Sequence, residues 1–215
     1  MNHLQWLERL NNSFFALRHG KSKPNEEGII ISDPEVGTKS YGLVNKGRIQ
    51  VRDSIRRAMQ SGVINKRVVI VSSDFKRAYE SAEIAKAVTG STEDIVIRKE
   101  LRERSFGGLN GQSNIHYQTV WALDEINPNH EINGVESVRH VLDRTTRLIV
   151  ELDSSHKGKT FILASHGDTL QILDTGFRKI SPGRHRRIQH LETGELRELT
   201  LTATFSKQSV GIVYS

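Results

Sequence analysis

The chain has 215 residues, 36% hydrophobic and 26% charged, a make-up that fits one globular domain and excludes a wholly disordered, collagenous or coiled-coil chain. It has no cysteine, so a disulfide framework, a thiolate zinc site and a cysteine nucleophile are excluded. With 31 Lys and Arg against 25 Asp and Glu, the formal charge of +6 suits an anionic ligand without naming one. In chain order, residues 14–17 (FFAL) form a short run that is apolar on both faces and reads as a buried strand. Val51, Ile55, Ala58 and Met59 then recur at helical spacing, residues 68–71 (VVIV) read as a second buried strand, and Ala78, Ala82, Ala85 and Val88 mark another helix. Residues 105–135 have weaker periodicity and carry Gly107, Gly108, Gly111, Pro128 and Gly134, which predicts an insertion over one end of the sheet. The clearest helix covers 136–152, with Val138, Val141, Leu142, Thr145, Leu148, Ile149 and Leu152 on one face; residues 161–164 (FILA) follow as a third buried strand. Leu199, Leu201, Ala203 and Phe205 alternate with more polar residues and predict a half-exposed edge strand.

Strands alternating with helices predict one α/β domain over residues 1–215, with a mostly parallel central sheet flanked by helices. The insertion at about 105–135 is expected over the carboxyl ends of the strands. No apolar run approaches the ~18 residues of a membrane span. The first residues, MNHLQWLERLNNS, lack the basic and apolar regions of a secretory signal. The expectation is a cytoplasmic protein that does not engage membranes.

Each apolar run ends in a polar cluster: Arg18-His19-Gly20 after the first, Ser72-Ser73-Asp74 with Arg77 after the second, and Ser165-His166-Gly167-Asp168 after the third. Ligands of open parallel sheets bind outside the carboxyl ends of the strands. Two histidines and two arginines meeting there, with helix N-termini aimed at the same place, make a site for a phosphate. A neutral imidazole can accept a phosphoryl group covalently, and arginines can stabilise the charge on its equatorial oxygens. Glu103, in Leu101-Arg102-Glu103-Arg104 ahead of a glycine-rich stretch, is placed to protonate the departing oxygen; the plainer alternative for it is a solvated ion pair with its neighbours.

These motifs, in this order, resemble the histidine phosphatase superfamily, the phosphoglycerate mutase-like group. The resemblance rests on Leu17-Arg18-His19-Gly20 with Ser22 and Asn25, residues 43–47 with Gln50, and Ser72-Ser73-Asp74 with Arg77-Ala78 and Ser81-Ala82. It continues through Leu101-Arg102-Glu103 with Phe106-Gly107 and Gly111, Gly134-Val135-Glu136-Ser137, and Ser165-His166-Gly167. It implies that His19 is the nucleophile, that Arg18, Arg77 and His166 hold the phosphoryl group, and that Asn25, Ser22 and Gly167 add phosphate contacts. Glu103 is then the acid and afterwards the base for water. The implied activity is a phosphatase acting on a small anionic phosphorylated metabolite through a phosphohistidine, with no metal and no cofactor. A mutase primed by a bisphosphate and a catalytically inactive binding protein are the alternatives. Family mutases carry a longer segment between acid and second histidine than the 63 steps from Glu103 to His166, and lack of such a segment places the mutase second.

Lys21 departs from the acidic or neutral residue that many members have there. With Lys23 on the same loop, and Arg184, Arg186 and Arg187 further on, it suggests a substrate with a second anionic group; ordinary surface charge is the competing explanation. His116, His130, His140, His156 and His190 carry no motif and receive no role. Gly158-Lys159-Thr160 resembles the tail of a P-loop, but residue 153 is Asp and the triplet precedes a strand. The stripe Arg48, Arg52, Arg56 and the run 184–187 lack the aromatic interleaving of a nucleic-acid surface, so no nucleic-acid partner is expected.

Overall fold

The computed structural model describes residues 1–203. Strands β1 (Ser13–Arg18), β2 (Val69–Ser72), β3 (Val96–Ile97), β4 (Thr160–Ser165) and β5 (Leu196–Leu199) form one sheet in the order β3-β2-β4-β1-β5. All neighbours are parallel except β5, which runs antiparallel to β1. The helices are α1 (Lys23–Glu27), α2 (Pro34–Gly37), α3 (Asn45–Gln60), α4 (Lys76–Thr89), α5 (Tyr117–Ile126), α6 (Val138–Ser155) and α7 (Gly167–Arg178), with short 3₁₀ turns between several of them.

The three predicted apolar runs are β1, β2 and β4, and they are apolar throughout because helices cover both faces of the sheet. Phe14, Ala16, Val69, Val71, Phe161 and Leu163 join Leu148, Ile149 and Leu152 of α6 and Leu170, Leu173 and Phe177 of α7 in one core. The alternate residues Phe15, Leu17, Ile70, Ile162 and Ala164 pack on Val51 and Ile55 of α3 and Ala82 and Ala85 of α4. Each such large side chain, fully buried, contributes about 1.5–3 kcal/mol. Helix α6 starts where the side chain of Ser137 accepts a bond from the His140 N–H, one to two residues later than the apolar pattern indicates.

Register positions the site. Arg18 pairs with Ser165 across β1 and β4, and the His19 N–H donates to the Ser165 carbonyl at 2.9 Å. The Ser73 N–H donates to the Ala164 carbonyl at 3.0 Å. The loops after β1, β2 and β4 therefore emerge side by side. Two glycines let the first of them pack backbone against backbone: a Cβ on Gly20 would lie 2.2 Å from the Gly47 carbonyl oxygen, and one on Gly47 would lie 2.0 Å from that of Lys21.

The insertion lies over these strand ends, as expected. Its small core of Phe106, Val120 and Val135 packs on Ile30, and beneath it sits a buried ionic network. The fully buried Arg104 guanidinium meets both carboxylate oxygens of Asp124 on α5 at 2.7 Å and Asp168 on α7 at 3.2 Å, while its Nε donates to the Glu136 carbonyl. His130 contacts the same Asp124 carboxylate at 2.8 Å.

One strand differs from its expectation. β5 spans Leu196–Leu199 and lies at the sheet edge, so it shares only Leu199 with the strand expected from Leu199, Leu201, Ala203 and Phe205. Its partner β1 begins at Ser13, with Leu199 opposite Phe14, so the pairing has no room to continue. The chain then turns away, with the Thr202 N–H bonded to the Phe177 carbonyl at the end of α7. Phe205 lies outside the described residues. Among those residues no helix is long and apolar enough to cross a membrane.

Candidate active site

His19 is buried in the loop after β1, and its Nδ1 lies 2.8 Å from the Gly20 carbonyl oxygen. A carbonyl only accepts, so Nδ1 carries the proton and Nε2 keeps its lone pair. That lone pair accepts from Nε of Arg77, on the first turn of α4, at 3.1 Å. Burial pushes the His19 pKa well below the usual histidine value, and Arg77 and Arg18 push it further, against the Gly20 carbonyl. The imidazole is neutral at physiological pH.

His166 caps α7 from the neighbouring strand end, with its ring centroid 5.3 Å from that of His19. Its Nε2 lies 3.1 Å from Ser73 Oγ, which itself accepts from the Phe75 N–H. The Ser73 hydroxyl can donate to Nε2 while it accepts from Phe75, and in that tautomer Nδ1 of the neutral ring is a donor. This Nδ1 is buried with no hydrogen-bond partner among the described residues and sits 3.8 Å from Glu103 Oε2. Burial first, then Arg77 and His19, hold His166 well below the usual histidine range.

Arg18 and Arg77 bring cations from two directions. Arg77 Nη2 donates to the Ile31 carbonyl, and its Nη1 is buried with no partner among the described residues. Arg18 Nη1 donates to the Leu191 carbonyl and to His190 Nε2, and its Nε is likewise orphaned. Gly167 permits this arrangement, because a Cβ there would lie 3.0 Å from Arg18 Nε. Orphaned, buried guanidinium donors beside a neutral imidazole make a receptor for anionic oxygens.

Glu103 completes the group. Its side chain is only 9% exposed, so it is not a solvated surface residue; Oε1 accepts from the Arg104 N–H at 3.1 Å, and Oε2 lies 3.8 Å from Arg77 Nη2. Burial raises its pKa above the usual carboxylate range; Arg77 opposes this and Asp168 adds to it. The environments push imidazole and carboxyl in opposite directions, which suits a nucleophile and an acid.

Arg18, His19, Arg77, Glu103 and Gly167 line a cavity of about 230 Å³ together with Ser22, Asn25, Tyr117, Trp121, Arg186 and His190, while His166 lies behind His19 and outside the lining. The Ser22 hydroxyl and N–H both donate to Asn25 Oδ1, which leaves the Asn25 amide nitrogen as the donor of that loop. Neither Lys21 nor Lys23 is in the lining; Lys21 sits 3.6 Å from Glu26, and Lys23 is exposed at the start of α1. Arg184 is also exposed, and Arg187 is ion-paired with Glu125. A larger, more open groove of about 960 Å³ runs between α3 and residues 192–198 and includes none of the expected site residues.

Sequence reasoning missed the outer wall. Tyr117 and Trp121 come from α5 and stack with centroids 5.3 Å apart. His190, assigned no role above, is held between Arg18 and Gln171, and burial with the cations of Arg18 and Arg186 pushes it down to about 4. Asp168 accepts from the Trp121 indole N–H at 2.9 Å. Burial alone would raise its pKa, but His185 and Arg104 hold it far below the usual carboxylate range. A Trp four residues after a Tyr in the insertion was the only available signal, and such a pair ordinarily marks a core face.

The family profile described as "Histidine phosphatase superfamily (branch 1)" matches residues 14–207. A comparison with curated proteins finds no match. Among solved structures, the mycobacterial glucosyl-3-phosphoglycerate phosphatase superposes with a TM-score of 0.69 at 20% identity, over 86% of this chain and 88% of that one. Bacillus stearothermophilus YhfR gives a TM-score of 0.67 at 20% identity, over 89% and 95%. At such identity these likenesses speak to the fold, whereas the profile spans nearly the whole chain and both histidine motifs. On that match the chain belongs to the histidine phosphatase superfamily, branch 1.

Proposed function

We propose that the protein is a phosphatase that hydrolyses small phosphorylated metabolites through a phosphohistidine on His19, without a metal ion. The observation that carries this reading is the tautomer of His19: its Nδ1–H is fixed on the Gly20 carbonyl, and Nε2 faces the Arg77 guanidinium. The fold shared with the mycobacterial glucosyl-3-phosphoglycerate phosphatase supports the same reaction class.

In the first step the Nε2 lone pair forms a bond to phosphorus as the ester P–O bond breaks. The departing oxygen takes the proton of the Glu103 carboxyl, which its raised pKa keeps available. Arg18, Arg77 and the Nδ1–H of His166 hold the phosphoryl oxygens, and their fixed positions favour the spread charge of the transition state. The Gly20 carbonyl, accepting from Nδ1–H, steadies the positive charge that the phosphorylated ring acquires. In the second step Glu103, now a carboxylate, takes a proton from water, whose oxygen attacks phosphorus. The N–P bond breaks, neutral His19 is restored, and inorganic phosphate leaves.

The test is a panel of phosphomonoesters assayed with a chelator present, scored for phosphate release and for isomer formation. Phosphate release by the wild type, with loss of both turnover and an acid-labile phosphoenzyme in His19→Ala, is the expected result. A strict magnesium requirement, or full activity of His19→Ala, would overturn the mechanism, and isomer formation would point to the mutase.

A further inference from the structure

The chemistry above leaves one cation of the cavity wall unused. The Cζ of Arg186 sits 3.7 Å from the centroid of the Trp121 ring. That indole is not free to swing, because its N–H is bonded to Asp168, which Arg104 holds from behind. Arg186 is also tethered through Nη1, which donates to Oε1 of the buried Gln171 and lies 3.4 Å from His190 Nδ1. The stack and this tether fix the plane of the guanidinium, and its remaining N–H groups form no hydrogen bond among the described residues. Arg187 next to it has Glu125 as a partner, but Arg186 pairs with no carboxylate among the described residues. Asp168, whose charge acts on Arg186 without an ion pair, already accepts from Trp121 and Arg104.

A half-buried cation without a counter-ion is a cost to the folded protein, and a stacked, planar donor fork is the form that carboxylates and phosphates fit. The partners of Arg186 are Trp121, Gln171 and His190, and His190 in turn accepts from Arg18, so the fork lines the same cavity one residue away from the arginine that would hold the phosphoryl group. At about 230 Å³ the cavity falls below the roughly 300–1,000 Å³ of sites for drug-sized ligands. It suits a phosphoryl group on a short carbon skeleton.

We propose that the leaving group of the substrate bears a second anion, a carboxylate or phosphate a few bonds from the ester oxygen, and that Arg186 seated on Trp121 binds it. The inference rests on the phosphatase reading and assigns the selectivity of that site. Of the cations that the sequence suggested for a second anion (Lys21, Lys23, Arg184, Arg186 and Arg187), it keeps Arg186 alone, on the turn after α7 that faces the insertion.

The test compares 3-phosphoglycerate with glycerol 3-phosphate, which carries a hydroxymethyl group in place of the carboxylate. In the wild type, kcat/KM is expected to favour 3-phosphoglycerate by at least about tenfold. Arg186→Gln should shrink that ratio by roughly 10- to 100-fold, the range of a charge-assisted hydrogen bond, and should do so through KM for the anionic ester. Arg186→Lys should restore part of the ratio. Trp121→Leu should lower it, and Trp121→Phe, which keeps a ring under the guanidinium, should retain it. An equal loss on both esters would mean that Arg186 only supports the fold, and a wild-type ratio near one would remove the second anion; either overturns the proposal. If the wild type releases phosphate from neither ester, the phosphatase reading fails first, and titration calorimetry on the same proteins decides this inference separately. Tighter binding of 3-phosphoglycerate that Arg186→Gln abolishes supports it, and equal affinities for the two esters overturn it.

Discussion

Nε of Arg77 donates to Nε2 of His19 at 3.1 Å, so the proposed nucleophile and the guanidinium that would hold its target touch each other. An incoming phosphate must exchange this bond, drawing the arginine N–H groups to its own oxygens and exposing the imidazole lone pair as it does so. Lysine would keep the charge but lose the fixed fork. Arg77→Lys is therefore expected to lower kcat/KM by about 10²–10³-fold on alkyl and aryl phosphates alike, measured by phosphate release. A loss confined to one ester type would mean that Arg77 serves the leaving group instead.

Glu103 should behave differently toward the two ester types. Glu103→Gln is expected to slow an alkyl phosphate by about 10²–10⁴-fold. An aryl phosphate with an acidic phenol needs no proton on departure, so its phosphorylation step, read as a burst in rapid-quench kinetics, should be much less affected. Equal losses in that step would make Glu103 a positioning residue.

The pH profile follows from the opposed shifts of His19 and Glu103. His19 must be neutral to attack, so activity rises with pH through a value well below 6.5. Glu103 must be protonated in the first step, so activity on an alkyl phosphate falls as pH rises through a value above the usual ~4.3 of Glu. The substrate phosphate titrates near 6 as well, but it does so equally in every variant. Glu103→Gln should thus lose the alkaline limb that the wild type shows beyond the substrate's own ionisation.

Stability carries the same signature. In the folded state His19 and His166 resist protonation, so below about pH 6.5 the unfolded chain binds more protons and stability falls as pH falls. Glu103 acts with the opposite sign: its folded pKa is raised, so its contribution is full below the unfolded value and is lost as pH rises through the folded one. Melting curves from pH 7 to pH 5 should show a shallower decline for His19→Gln and a steeper one for Glu103→Gln than for wild type.

Arg104 offers a test of the insertion's anchoring. Arg104→Met leaves Asp124 and Asp168 buried without their cation, a change expected to cost about 3–5 kcal/mol in denaturant unfolding. A near-neutral result would show that the two carboxyls have taken up protons or water.

The parts of the molecule that could be read from the sequence are those where chemistry and pattern are contiguous. FFAL, VVIV and FILA are buried on both faces and end directly in Arg18-His19, Ser72-Ser73 and Ser165-His166, so a few neighbouring residues disclose both strand and site. β3 is only Val96–Ile97 and half-exposed, too short to show a period. Trp121 and His190 are isolated in sequence, and with Arg186 from the basic run 184–187 they become a wall only when α5 is set against the 3₁₀ turn at Pro182–Arg187. Lys21 and Lys23 show the reverse error. They sit close to His19 along the chain, yet the loop carries them past the cavity, one to Glu26 and the other outward.

The contact between Gly20 and Gly47 has a consequence for how such a site can change over time. Where two side chains collide, a smaller partner elsewhere can relieve the clash, but here main chain meets main chain and no second mutation makes room. The loop bearing His19 is closed to gradual drift, and a descendant that keeps the reaction must keep both glycines. The opposite wall is built from side chains of α5 and the turn after α7, each replaceable one at a time. New substrates would be acquired there, with the nucleophile left where it stands.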